Sequence, residues 1–279
     1  MNKYKNKILV VLLLVLTSII NAQVYVGGGS GVYSINNNYD NFTVSNDMGF
    51  NLKVGYVHMF SSKFGIGIGA EYSQSKNFIR TNERFSIATN LVDNSPSNSA
   101  FVYNVTTDRY REEQELSALQ IPLFLQFKTK VNENSSFYVR AGAKYYMPQD
   151  FKTSATATQV RATGFYPDFN LLISNEPSRG FGTTNNYKES GEYETENVIM
   201  LNLEFGFSFN VGSKSSIYAG FFIDRATETI VKSKNDVSFV GYNPTSTNGR
   251  KLNGLYNSRL DGEVIPVNFG LTLSYCFGR

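Results

Sequence analysis

The chain has 279 residues, with 26 basic and 23 acidic side chains, one histidine, one cysteine and no tryptophan. Its single cysteine excludes an internal disulfide framework and any multi-cysteine metal site, and its single histidine argues against a histidine metal centre. The near balance of charge lacks the basic surplus that nucleic-acid binding requires, so we expect no nucleic-acid partner. We also expect no metal and no cofactor.

Residues 1–22 have the layout of a secretory signal peptide. Three lysines precede an apolar run over residues 8–20, and Ala22 then offers a small residue at a cleavage point before Gln23. The run is shorter than the roughly 20 apolar residues that a membrane-spanning helix needs, although an uncleaved membrane anchor is the alternative. Without the three lysines, residues 23–279 carry 23 basic and 23 acidic side chains and are neutral.

The first part of the remaining chain contains three segments in which apolar and polar residues alternate, the pattern of a β-strand with two different faces. They cover about 24–34, 48–60 and 64–74. In the third segment, Gly65, Gly67 and Gly69 share the inward face, and we expect them to lie opposite bulky side chains. A long polar gap of about 76–114 follows.

Two further strands are predicted in the middle of the chain, at about 115–129 and 137–147. Pro122 lies on the inward face of the first of them. Because proline has no N–H to donate to a neighbouring strand, we expect a bulge or locally broken pairing there. The longest gap, about 148–196, comes next.

The last part of the chain contains three strands, at about 202–211, 217–225 and 264–277. The first of them shows the clearest alternation: Leu203, Phe205 and Phe207 share one face, while Glu204 and Ser208 lie on the other. Such a strand has one apolar face and one polar face.

The gaps between the eight strands alternate between short and long, which is the pattern of an up-and-down barrel with short turns on one rim and long loops on the other. A soluble sandwich would also alternate, but the export signal and the aromatic residues near the short-turn rim favour a membrane. We therefore predict an all-β, eight-stranded antiparallel transmembrane β-barrel over residues 23–279, with long extracellular loops and both termini periplasmic. The aromatic residues expected to form an interfacial girdle are Phe60, Phe64, Phe127, Phe137, Phe207, Phe209, Tyr275 and Phe277.

The segment Leu119–Phe127, which reads LQIPLFLQF, is similar to a "LEIPLLLKY"-like strand of the outer-membrane β-barrel domain family common in Bacteroidetes. These are OmpA- or OmpX-like eight-stranded barrels that include PorT-like proteins. The glycine-rich third strand and the closing strand 269–277 fit the family, and the resemblance covers most of residues 23–279. It implies an outer-membrane location in a Gram-negative, Bacteroidetes-type bacterium. The chain departs from the family by ending on Gly278–Arg279 rather than on an aromatic residue, and by its longer loops.

Charged residues lie on the inward face of several predicted strands, in a barrel so narrow that side chains fill it. Because an unpaired buried charge is very costly, we expect these residues to form a structural plug of ion pairs, with a gate or narrow polar path as the alternative. Arg140 and Glu204 are the predicted partners across neighbouring strands, and Lys53 and Glu71 are expected to share the same interior. The predicted lumen network consists of Lys53, Glu71, Arg140, Lys144, Glu204 and Asp224.

We expect a structural or cell-surface interaction role rather than catalysis, because the only histidine, His58, has the lipid-facing parity and no Ser-His-Asp set can form. A narrow channel or a PorT-like secretion accessory is the second hypothesis, and a lipid-modifying enzyme with active residues at the loop rim is the third. The expected partners are outer-membrane lipids and lipopolysaccharide, with a surface ligand or a secretion-machinery protein bound through the long loops.

Overall fold

The computed structural model describes most of the chain from Ala22 onward. The described residues are 22–36, 43–81, 84–92, 99–212, 214–231, 240–242, 250–252 and 263–278. The predicted signal peptide, up to residue 21, therefore lies outside the described residues.

The described chain is almost entirely β-structure. In chain order the strands are β1 (Ala22–Asn36), β2 (Thr43–Asn46), β3 (Met48–Met59), β4 (Phe64–Thr81), β5 (Arg84–Val92), β6 (Ala100–Asp108), β7 (Tyr110–Lys130), β8 (Ser135–Tyr166), β9 (Leu171–Ile173), β10 (Gly182–Glu192), β11 (Val198–Asn210), β12 (Ser215–Ala226), β13 (Val240–Tyr242), β14 (Arg250–Leu252) and β15 (Ile265–Phe277). Two short 3-10 turns, Pro167–Phe169 and Pro177–Arg179, flank β9.

Eight of these strands form a closed antiparallel ring. Its order is β1–β3–β4–β7–β8–β11–β12–β15, and β15 pairs with β1 to complete it. The ring contains the eight strands predicted from the alternating pattern, so the predicted barrel is confirmed. Closure leaves no open sheet edge around the ring, which is the requirement for β-structure inside a bilayer.

The outward face of the ring is a belt of exposed apolar side chains. Every ring strand contributes to it, with Leu52, Leu125 and Leu271 at 60%, 61% and 61% exposure. A soluble protein rarely exposes so large an apolar surface, whereas a bilayer-spanning barrel requires one. The chain is therefore a transmembrane barrel of the outer-membrane type. No helix among the described residues is long and apolar enough to span a membrane.

The predicted aromatic girdle lies at the short-turn end of this belt. Phe60, Phe207, Phe209 and Phe277 are each 45% exposed or more. Neighbouring strands bring rings together there, with centroids 5.3 Å apart for Phe64 and Phe127 and 5.7 Å apart for Phe137 and Phe207. Aromatic rings of this kind sit at the boundary between hydrocarbon and headgroups.

Pro122 breaks the sheet on one side only. The register between β4 and β7 passes from the pair Ile68–Leu123 directly to Glu71–Gln120, while on the other side Pro122 pairs with Lys144 of β8. The predicted disturbance is thus a locally broken pairing, and no residue is inserted. The register shift in β7 lies at Ser117/Ala118 instead.

The gaps predicted as polar loops at 76–114 and 148–196 contain strands as well. β4 and β7 continue beyond the barrel, and β8 runs for 32 residues. Both β7 and β6 pair with one edge of β8, while β11, β10 and β9 pair with the other. We call the part formed by β5, β6, β9, β10 and the ends of β4, β7 and β8 the extracellular sheet, because it continues the long-loop rim, which the sequence analysis predicts to lie outside the cell.

Candidate functional site

The six predicted lumen residues all point into the barrel and are at most 6% exposed. They lie on five different strands. Each occupies an inward position, and such positions recur at every second residue of a strand. The structure brings them together as two triads, which we call the lower triad, nearer the short-turn rim, and the upper triad. The lower triad is Lys53, Arg140 and Glu204, and the upper triad is Glu71, Lys144 and Asp224.

Glu204 is the centre of the lower triad. Lys53 donates to its Oε2 with Nζ at 2.6 Å, and Arg140 donates to its Oε1 with Nη1 at 3.1 Å. The Tyr138 hydroxyl donates to the same Oε1 at 3.0 Å. Arg140 and Glu204 face each other directly across β8 and β11, and they form the ion pair that strand adjacency suggested.

Lys144 is the centre of the upper triad. Its Nζ lies 2.6 Å from Oε2 of Glu71 and 2.8 Å from Oδ2 of Asp224. The other oxygen of Asp224 accepts a hydrogen bond from the Asn202 amide at 2.5 Å. This lysine therefore forms ion pairs with one carboxylate from β4 and one from β12.

The two triads compensate each other's charge. The lower triad has two cations and one anion, and the upper triad has one cation and two anions, so they carry +1 and −1 and sum to zero. Lys53 and Glu71 are opposite each other in the register of β3 and β4, so the two triads adjoin at these residues. Each of these two residues forms its ion pair across the lumen, with Glu204 and Lys144 respectively, rather than with the other.

Four aromatic rings surround the Arg140 guanidinium. Its carbon lies 4.8 Å from the ring centroid of Tyr218, 5.1 Å from Tyr25, 5.2 Å from Phe124 and 5.3 Å from Tyr138. Each distance is within cation–π range. Nε of Arg140 also donates to Gln126 at 2.8 Å. The cation thus fixes an aromatic layer across the barrel.

Glycines make room for these rings. A Cβ at Gly67 would lie 2.3 Å from Cζ of Phe124, and Cβ atoms at Gly55 and Gly69 would lie 2.5 and 2.6 Å from the Tyr25 hydroxyl oxygen. The prediction that glycines of the third strand lie opposite bulky residues is confirmed. The barrel interior can hold the aromatic layer only because these positions lack side chains.

An apolar cluster lies above the triads, towards the long-loop rim. We call it the mouth cluster, and its central members, Ile79, Tyr146, Met200 and Ile230, are at most 2% exposed. The full set of buried residues is Ile35, Ile79, Leu116, Ala118, Tyr146, Phe151, Tyr193, Val198, Met200, Ala226, Ile230 and Val264.

A buried carboxylate above the mouth cluster was missed by the sequence analysis. Glu112 accepts hydrogen bonds from the hydroxyls of Tyr110 and Tyr193 at 2.7 and 2.6 Å and from the Gln114 amide at 2.9 Å. Burial raises the pKa of Tyr110 well above its usual value, with the negative charge of Glu112 as the second cause, so the phenol remains a donor. Residues 110–115 are mostly polar on both faces, and no apolar alternation marked them as a strand.

The arrangement favours ion pairing over catalysis. His58 lies on the outward side of β3, between the inward residues Val57 and Met59 of that strand end, and does not contact the triads. Among the described residues there is no group of three or more side chains of the metal-binding types. Every carboxylate of the two triads is engaged by a cation.

Comparisons with known proteins give low identities. No protein-family model matches the chain, and no curated protein matches it. Neisserial surface protein A is a similar solved structure, with 8% identity and a TM-score of 0.38 over 93% of this chain and 97% of that chain. The outer membrane protein OprG from Pseudomonas aeruginosa is another, with 12% identity and a TM-score of 0.40 over 93% of this chain and 97% of that chain. Ail, the attachment invasion locus protein of Yersinia pestis, is similar at 12% identity, with a TM-score of 0.31 over 92% of this chain and 97% of that chain. The fold assignment rests on the closed strand ring and its apolar belt.

Proposed function

We propose that this protein is a closed, non-conducting barrel in the outer membrane of a Gram-negative bacterium, and that it serves a structural or cell-surface interaction role. In this proposal the signal peptide is removed after Ala22, both termini are periplasmic, and the extracellular sheet faces the surroundings. Outer-membrane lipids and lipopolysaccharide contact the apolar belt. A Bacteroidetes-type origin, suggested by the Leu119–Phe127 strand, remains part of the proposal.

The observation that carries the proposal is the filling of the lumen by successive layers. The aromatic layer, which surrounds Arg140 of the lower triad, lies nearest the short-turn rim, the upper triad follows, and the mouth cluster lies above it. A water-filled channel needs a continuous polar path through the barrel. In this proposal, buried side chains such as Tyr138 of the aromatic layer and Met200 of the mouth cluster, both 0% exposed, interrupt that path. An eight-stranded barrel is narrow enough to be filled in this way.

The length of β8 supports a role at the cell surface. A strand of 32 residues is up to roughly 105 Å long at about 3.3 Å per residue, whereas the hydrocarbon core is only about 30 Å thick. The lipid-facing belt uses only its first part. The remainder organises β6, β9 and β10 into ordered structure outside the membrane, which presents a large surface for recognition.

Conductance in planar bilayers tests the closed lumen. We expect the purified wild-type protein to show no steady conductance, and Arg140→Met to gain little, because the mouth cluster still closes the barrel. Stable single-channel openings in the wild type whose ion selectivity changes in Arg140→Met would contradict the proposal and support the channel hypothesis. A secretion defect on deletion would instead support a secretion accessory, and lipid turnover by the purified protein would support an enzyme.

A further inference from the structure

The extracellular sheet contains a polar groove apart from the charged lumen. It has a volume of about 490 Å³, within the range of roughly 300–1,000 Å³ that is usual for small-ligand sites. Its described lining comes from three strands, β6, β8 and β9, at the part of β8 farthest from the barrel. The described lining residues are Asn104, Thr106, Asp108, Gln159, Arg161, Thr163 and Leu172.

The floor of the groove consists of three polar rungs. The register of β6 and β8 places Asn104 opposite Thr163, Thr106 opposite Arg161, and Asp108 opposite Gln159. All six side chains share one face of the sheet, and alternate residues on a strand are about 6.8 Å apart. The rungs therefore form a row roughly 14 Å long, the dimension of an elongated ligand.

The opposite face of the same strands fixes this row in place. Tyr103 and Val105 of β6 and Ala162 of β8 are fully buried there, and Phe181 packs on Tyr103 with ring centroids 6.1 Å apart. A slip of one residue would move these apolar side chains to the polar face, so the register is strongly specified. The polar rungs are thus held by a packed core.

Several polar side chains of the groove are available to a ligand, although Gln159 donates to Asn185 at 3.2 Å. Among the described side chains, which do not include those of the neighbouring strand β5, none forms a hydrogen bond with the side chains of Asn104, Thr106 or Thr163, although all three are half-buried. Arg161 donates only to Gln159, at 3.3 Å. Amides, hydroxyls, a guanidinium and a carboxylate together offer donors and acceptors in a closely spaced set.

The two ends of the groove differ in chemistry. Beyond the Asn104–Thr163 rung, the same face continues to Val102 and Phe165, which are opposite each other, and Leu172 of β9 is opposite Phe165 on its other side. These side chains give the groove an apolar end. The groove also contains one cation, Arg161, and one anion, Asp108, so its described lining is neutral.

We propose that this groove binds a neutral, hydroxyl-rich oligosaccharide on the outside of the cell. Hydroxyl groups of a sugar both donate and accept hydrogen bonds and can satisfy the mixed set of the three rungs, and the apolar faces of sugar rings fit the end formed by Phe165 and Leu172. The described lining, with one cation and one anion, gives no net attraction to a strongly charged ligand. The proposal rests on the proposed function only in placing this sheet outside the membrane.

The test uses the full chain in lipid nanodiscs, applied to a printed array of neutral oligosaccharides and acidic oligosaccharides of the same lengths. We expect binding to neutral members only, with an affinity that is the same at low and high salt. Asn104→Ala and Thr106→Val should each weaken binding roughly three- to tenfold, the effect of one lost hydrogen bond. Ser190→Ala, an exposed hydroxyl on β10 outside the groove, is the matched control and should bind like wild type.

Folding of each variant is checked by the gel mobility shift between unheated and heated samples, which reports an intact barrel. Failure of the wild type to bind any neutral oligosaccharide would overturn the proposal, as would binding that both groove variants retain at full strength. Binding confined to acidic oligosaccharides and lost at high salt would overturn the neutral ligand class. None of these results depends on conductance, so the closed lumen is tested separately.

Discussion

Glu204 accepts hydrogen bonds from three buried donors, and Lys144 donates to two buried carboxylates. Ions in such positions have lost most of their water, so each depends on its partners for solvation. Removal of one member leaves the others charged and poorly solvated, whereas removal of both members of a pair leaves less uncompensated charge. The lumen residues are therefore expected to be strongly coupled in stability.

We predict that a double-mutant cycle of Arg140→Met and Glu204→Met gives a coupling energy of at least about 1 kcal/mol. The measurement is the free energy of unfolding by denaturant in lipid vesicles. The exposed pair Lys76 and Glu113, with Nζ and Oε1 3.2 Å apart, is the matched control and should couple by no more than about 1 kcal/mol. Additive effects of the two lumen substitutions would contradict the account of the lower triad.

We predict that Gly67→Ala destabilises the barrel by roughly 1–3 kcal/mol, because the new methyl group would collide with the Phe124 ring. Phe124→Leu should relieve the collision, so the double variant should lose less stability than the two single effects together. Gly191→Ala is the control, since its Cβ would meet only Thr153 Oγ1, at 3.4 Å. Equal loss of stability at Gly67 and Gly191 in the same unfolding assay would show that packing against Phe124 is unimportant.

The inward position of the lumen charges follows from the two-residue period of a strand, so it could be predicted without the fold. The pairing could be predicted only in part. Arg140 and Glu204 are cross-strand neighbours, but Lys53 extends across the barrel to Glu204 although Glu71 is its neighbour in the register. In a narrow lumen, a long side chain can extend to partners on several strands, and the spacing of residues in the sequence does not determine which partner it pairs with.

The ring strands were predictable because lipid on one side and packed side chains on the other impose a clear alternation on each. The strands outside the membrane lack that contrast. Around Glu112, the neighbouring residues on both faces of the strand are polar. The buried face of the strand is stabilised by hydrogen bonds from tyrosine hydroxyls rather than by apolar packing. β6 does alternate, with Phe101, Tyr103 and Val105 buried, but it lies within the stretch of about 76–114 that was interpreted as a long polar gap.

We predict that Leu203→Arg on β11 costs roughly 2–4 kcal/mol of folding stability in a bilayer, because Leu203 is 40% exposed on the lipid-facing side. Leu203→Phe at the same site keeps an apolar surface and should cost much less. The measurement is reversible unfolding from lipid vesicles. Similar losses for the two variants would mean that this face of the strand does not contact lipid.

At the scale of the whole molecule, one chain combines a filled membrane barrel with an ordered sheet outside the membrane. Described side chains fill much of the barrel interior, and its short turns, such as residues 60–63, leave little surface at the opposite rim. The extracellular sheet has its own buried core, including Tyr103, Val160 and Phe181 at 0% exposure. In the proposed function, the barrel anchors the protein and the sheet serves recognition.

The orientation of these two parts across the membrane is the central claim, and cysteine labelling of intact cells tests it most directly. In a Cys276→Ser background, which removes the only native thiol, single cysteines are placed at Ser190 on β10 and at Ser62 in the turn between β3 and β4. A membrane-impermeant maleimide should label Ser190→Cys on intact cells and Ser62→Cys only after the outer membrane is permeabilised. Labelling of Ser62→Cys but not Ser190→Cys on intact cells, or equal labelling of both, would contradict the account.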